Sequence, residues 1–185
     1  YVQQSIRFAA ELDCPMVDTV DGAFEIEGFS RDEVFRITCD NYRQVLSWAE
    51  DYKVIINVEP HGPYTTDGDF MERLFEHFES EYLRFNMDTG NSWLGGADPV
   101  EMAKVFRDKI FHIHWKDLPA DWEAKRGSMY GCGFGPIALG EGVIDIKGVF
   151  EVLKDSPHVE YSTLEVGGDA DVLKSYAYLK SLGAE

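Results

Sequence analysis

Positive charge is scarce in this chain: Lys and Arg number 17 against 34 Asp and Glu, a formal charge of −17 across 185 residues. A surface this acidic repels phosphate backbones and argues against nucleic acid as a partner. The excess reads as solvated acidic helix faces that aid solubility. Cysteine is scarce too. Cys14, Cys39 and Cys132 are odd in number and lack metal-type spacing, so they read as reduced thiols in a reducing compartment, with the cytoplasm as the expected location. No apolar run approaches the ~20 residues that span a bilayer. The chain opens on an amphipathic helical pattern and not a signal peptide, so no membrane is expected as a partner. Internal repeats and low-complexity tracts are absent as well. Apolar residues make up 44%, enough for one globular domain with a real core.

Strand and helix patterns alternate along the chain. Tyr1 to Leu12 carries a helical apolar stripe, and Pro15 to Thr19 reads as a short strand. Ser30-Arg31-Asp32-Glu33 is a capping box that opens a long helix. Apolar runs then recur as Lys53 to Glu59, Leu83 to Asp88, Ile110 to His114 and Tyr161 to Glu165. Between them lie a helix carrying Phe70, Leu74, Phe75 and Phe78, one opened by Asp98-Pro99, and one capped by Asp145. Gly167-Gly168-Asp169 introduces a last helix. Such βα repetition implies a parallel sheet. Five βα units are found where a closed eight-stranded α/β barrel needs roughly 250 residues. The expectation is a single domain over residues 1–185 holding the last five units of a TIM (β/α)8 barrel, with the opening three absent. Leu118 to Gly140 breaks the rhythm as an aromatic and glycine-rich insert, a length of loop that usually serves function.

Four of the runs end on Glu59, Asp88, His114 and Glu165. In parallel α/β folds the carboxyl ends of strands converge on one site. Three carboxylates and an imidazole meeting there form a divalent-metal cage. Alternation supports this independently. Asn57 shares a face with Glu59, Asn86 with Asp88, His112 with His114, and Thr163 with Glu165. A parallel strand covered on both faces is normally apolar throughout, so this polar stripe needs an occupant, and a hydrated metal with a polyol would serve. Around it, His61 in the Pro60-His61-Gly62-Pro63 turn is a candidate base near neutral pH. Lys116, Trp93, Asn91 and His112 are candidate substrate contacts. His112 sits one layer deeper than His114, where a hydrogen-bonded interior histidine is the plainer reading, and Asp117 reads as a turn-starting acid.

The segments VEPHG (Val58 to Gly62), MDTGN (Met87 to Asn91), FHIHWKD (Phe111 to Asp117) and LGEGVIDIKGVFEVLK (Leu139 to Lys154), then TLEVGG, resemble the xylose-isomerase-like TIM barrels. That superfamily includes sugar isomerases, epimerases, inosose dehydratases and apurinic endonucleases. The resemblance implies that Glu59, Asp88, His114 and Glu165 ligate one Mn2+ or Mg2+, and that Glu59 and Glu165 act as an acid–base pair across a sugar. An oxygen-rich set with one imidazole suits Mn2+ better than zinc. Asn91 departs from the histidine that the epimerases carry there, and it also removes a ligand that the three-zinc endonucleases need. The nuclease reading is therefore the weakest.

The chemistry this implies is proton abstraction beside a keto-sugar carbonyl, giving an enediolate. Its return to the other face is epimerisation, and to the other carbon isomerisation. Loss of a leaving group one carbon further on makes the enzyme a lyase. VEPHGPYTT and MYGCGFGPIALGEG are similar to the α subunits of bacterial C-glycoside deglycosidases. That similarity implies a 3-keto-C-glycoside substrate, elimination of the aglycone, and a small β-rich partner subunit or a homo-oligomer. The rival reading is a non-catalytic assembly or binding subunit that retains a metal site.

Overall fold

The computed structural model describes residues 1–131 and 135–184, so Cys132 and Phe134 of the insert lie outside the described residues. Five strands form one parallel sheet in sequence order: β1 (Met16–Thr19), β2 (Ile55–Val58), β3 (Leu83–Asp88), β4 (Ile110–Trp115) and β5 (Tyr161–Leu164). The helices are α1 (Val2–Glu11), α2 (Arg31–Tyr52), α3 (Gly68–His77), α4 (Thr89–Leu94), α5 (Pro99–Val105), α6 (Ile146–Leu153) and α7 (Gly168–Leu182). This is a half-barrel, five parallel βα units as expected. Among the described residues β1 and β5 each pair on one side only.

Helix boundaries follow local chemistry. Ser30 Oγ accepts from the Glu33 amide while the Glu33 carboxylate accepts from the Ser30 amide, so the capping box at α2 closes in both directions. Lys53 ends that helix in the left-handed region, with its amide returning to the Ala49 carbonyl. Asp98 caps α5 through the amides of Val100 and Glu101, with Pro99 in the first turn. Asp145 caps α6 through the Gly148 amide.

The apolar faces of the strands, including Ile56, Val58, Phe85, Met87, Ile113 and Trp115, pack with the helices in one core. The opposite faces are polar. Register matters here. Phe85 pairs with Ile110 but Asn86 pairs with His112, so Phe111 is passed over in an irregularity. That shift brings Asp88 opposite His114, aligning the polar faces of β3 and β4.

The insert begins with a 3-10 turn, Ala120–Lys125. Arg126 then pins it down by donating to the carbonyls of Trp93 (3.1 Å) and Ala97 (3.0 Å). No helix among the described residues is long and apolar enough to cross a membrane. Cys14 and Cys39 are free thiols.

Candidate metal centre

Asp88 is the most enclosed member of the centre, with no exposed surface. It ends β3 and also caps α4: Oδ1 accepts from the Asn91 amide at 2.8 Å. Its Oδ2 accepts from Asn91 Nδ2 at 3.0 Å and from Lys116 Nζ at 2.6 Å. Asn91 Nδ2 also reaches Glu59 Oε1 at 3.3 Å, so one amide ties two strand-end carboxylates together. Thr89 fixes the Lys116 backbone: its hydroxyl accepts from the Lys116 amide at 2.8 Å and donates to the Lys116 carbonyl at 2.7 Å.

His114 is the hub. Its Nδ1 lies 3.0 Å from Glu165 Oε1, 3.5 Å from Glu59 Oε1 and 3.8 Å from Asp88 Oδ2. Asn86 Nδ2 sits 3.1 Å from Nε2. Glu59, Asp88 and His114 each offer a donor atom within 4.8 Å of the others. Ligands held about 2.0–2.3 Å from a common cation stand roughly 2.8–4.6 Å apart. Glu165 is joined to the trio through His114 and through Lys116, whose Nζ contacts both Asp88 and Glu165.

Electrostatics match a cation-binding set. Burial disfavours a charged His114, but hydrogen bonds to Asp88, Glu165 and Glu59 outweigh it and raise its pKa to about 11. The hydrogen bond to His114 is the main cause that lowers Glu165 to about 2, against its partial burial and with help from Lys116. Burial raises Glu59, opposed by its contact with His114 and reinforced by the Asp88 charge. Three carboxylates thus draw positive charge into a nearly closed space. The donor set fits a divalent ion.

His61 follows Glu59 by two residues, on a braced turn. Asp21 Oδ1 accepts from the Gly62 amide at 2.6 Å and the Thr65 hydroxyl at 2.5 Å, while Oδ2 accepts from the amides of Tyr64 (2.9 Å) and Thr65 (3.2 Å). The His61 amide donates to Thr65 Oγ1 at 2.8 Å. Its Nδ1 is buried with no hydrogen-bond partner among the described residues. Gly131, from the insert, abuts the ring: a Cβ there would sit 3.2 Å from it, and the backbone φ is +75°.

The remaining candidates fall into place by packing. Trp93 is buried in α4 within the core cluster, with the Arg126 guanidinium 5.2 Å from its ring centroid. His112 lies one layer below His114, its ring edge-on to the His114 ring with centroids 4.5 Å apart. Asp117 is more than a turn-starting acid. It is fully buried, and its two oxygens accept from the amides of Leu118, Gly140, Gly142 and Ile144. That closes the far end of the insert onto β4.

Sequence reasoning passed over Asp18, Asp21 and α4. Asp18 shares a register position with Asn57 and lies on the same polar face, a signal that alternation within Met16–Thr19 already carried.

A family model described as a xylose isomerase-like TIM barrel matches residues 1–182. The chain belongs to that family. It is 22% identical over 185 residues to an inosose dehydratase of Clostridium beijerinckii (strain ATCC 51743 / NCIMB 8052), covering 95% of this chain and 59% of that protein. The chain thus spans less than two thirds of that relative's length. Among solved structures, a D-tagatose 3-epimerase-like protein superposes with a TM-score of 0.80 at 22% identity, over 97% of this chain and 66% of the other. The IOLI protein with a binding zinc atom superposes at 0.79 with 15% identity, over 98% and 67%. Likeness at these identities shows the fold. The named dehydratase is an enzyme, and the IOLI structure carries a bound zinc atom.

Proposed function

We propose that the protein containing this chain is a divalent-metal-dependent enzyme that removes the proton beside the carbonyl of a keto-sugar, keto-polyol or keto-glycoside. The observation that carries this reading is the convergence of Glu59, Asp88 and His114 within 4.8 Å, with Glu165 in contact with His114. These four residues are the ones assigned to hold the ion, Mn2+ or Mg2+ by the oxygen-rich donor set. Bound there, the ion supplies Lewis acidity that polarises the carbonyl and acidifies the neighbouring carbon.

The protein's own groups do the rest. His61, held by the Asp21-braced turn, takes the proton. Glu59 and Glu165 form the acid–base pair that moves protons across the substrate. Lys116 and Asn91, already bonded to the site's carboxylates, turn donors toward substrate oxygens. Once the proton is gone, a leaving group on the next carbon is expelled, and water is that group in a dehydratase such as the named relative. The narrower form of the reading is a 3-keto-C-glycoside that loses its aglycone, with a small β-rich subunit or a second copy of the chain as partner.

The test is isotope exchange. The full-length protein is stripped with a chelator, reloaded with Mn2+, and incubated in D2O with inosose or a 3-keto-glycoside. Metal-dependent deuterium uptake beside the carbonyl is the expected result. Equal exchange with and without metal would overturn the proposal.

A further inference from the structure

One layer below the metal centre, Asp18 and His112 join His114, a member of that centre, in a second group of ligand-type side chains whose donor atoms also fall within 4.8 Å of one another. Asp18 comes from β1 and His112 from β4, so their contact crosses the concave side of the sheet between non-neighbouring strands. We propose that Asp18 and His112, with His114 in reach as a third ligand, form a second cation site that takes zinc.

Three observations support it. First, His112 is nine-tenths buried or more, at 5% exposure, and its Nδ1 is a buried atom with no hydrogen-bond partner among the described residues. The other ring nitrogen is occupied: Nε2 lies 2.8 Å from Thr163 Oγ1. In the tautomer whose Nε2–H donates to that hydroxyl, the Nδ1 lone pair is left facing Asp18, the usual way a neighbouring group orients a ligating imidazole.

Second, the separation is close to that of two ligands on one ion and longer than a good hydrogen bond. Asp18 Oδ2 and His112 Nδ1 are 3.7 Å apart. A hydrogen bond needs about 3.2 Å or less, whereas two donors about 2.0–2.2 Å from one tetrahedral ion stand roughly 3.3–3.6 Å apart. Asn57 holds the carboxylate in this pose by donating to Asp18 Oδ1 at 3.0 Å, which leaves Oδ2 toward the imidazole.

Third, the chemistry differs between the layers. The upper set is rich in carboxylate oxygen; the lower set is two imidazoles and one carboxylate, a combination that favours zinc over magnesium or manganese. Four carboxylates, Asp18, Glu59, Asp88 and Glu165, face this region against one lysine, Lys116, so the two layers together carry excess negative charge. The Asp18 side chain is 31% exposed, which gives an ion a way in.

Metal stoichiometry on the full-length protein tests the site. The metal-free wild type is equilibrated with zinc or with Mn2+ alone, and bound metal is counted after desalting. The expected result is two zinc ions per chain in the wild type, one in His112→Gln and one in Asp18→Asn, with one Mn2+ in all three. Should His112→Gln fail to fold by circular dichroism, Asp18→Asn alone decides, since its side chain is partly exposed. A zinc count that is the same in the wild type and in a folded variant overturns the proposal. Failure of the upper-site reading looks different: Mn2+ uptake would be missing from every protein, whatever the zinc count.

Discussion

Lys116 Nζ lies 2.6 Å from Asp88 Oδ2, and both residues are buried, Asp88 completely. An ion pair removed from water binds its partners tightly only if neither is left alone. Replacing Lys116 by Met therefore leaves Asp88 with Asn91 and His114 alone among the described residues and destabilises the metal-free protein by about 3 kcal/mol, the low end of the usual penalty for breaking one side of a buried pair. A divalent ion supplies the missing charge. Thermal unfolding should show K116M with a lowered Tm that Mn2+ restores, and an unchanged Tm in the metal-free variant would refute the pairing.

The same contacts set a pH window. Glu165 is depressed from 4.5 to about 2, so its contribution to stability is present above 4.5 and fades as pH falls toward 2. His114 is raised from 6.5 to about 11, so its contribution is full below 6.5 and is lost as pH climbs through 11. The metal-free protein should accordingly lose Tm in both directions outside about pH 4.5–6.5. Binding a metal requires His114 to be unprotonated. Calorimetry in buffers of different ionisation enthalpy should detect proton release on Mn2+ binding near neutral pH, with affinity rising as pH rises.

Asp21 never reaches the metal centre but holds the turn that carries His61, through four donors. Asp21→Ala removes that brace. Turnover should fall by about tenfold or more, as misplacement of a catalytic group does, while the Mn2+ dissociation constant stays near that of the wild type. Equal loss of metal affinity would mean the turn shapes the metal site itself.

Glu165 separates an enzyme from a structural metal protein. Glu165→Gln removes a charge that contacts His114 and Lys116. In the catalytic reading, turnover drops by about 100-fold or more, the range for loss of an acid–base group. In the non-catalytic reading, melting temperature carries most of the effect. Parallel kinetics and thermal melts on the one variant distinguish them.

Much of this arrangement was legible from residue order, and the exceptions have physical causes. Ser30-x-x-Glu33, Asp98-Pro99 and Asp145 marked helix starts because capping is local chemistry. That Glu59, Asp88, His114 and Glu165 come together was readable because strand ends in parallel sheets share one rim. Helix α4 was not: Thr89–Leu94 contains few strong helix formers, and its one turn is held by the Asp88 cap and by burial of all six residues. The Asp117 partners lie as far as Ile144, and the Asp18 contact with His112 depends on sheet curvature. Neither is encoded in any short window. The alignment of Asp88 with His114 rests on the register shift past Phe111, which alternation alone does not reveal.

The most direct test of the central claim is anomalous diffraction from crystals of the full-length protein grown with Mn2+. A manganese peak about 2.0–2.3 Å from oxygen or nitrogen atoms of Glu59, Asp88, His114 and Glu165 is the predicted result. A peak bound elsewhere, or none at saturating Mn2+, would contradict it.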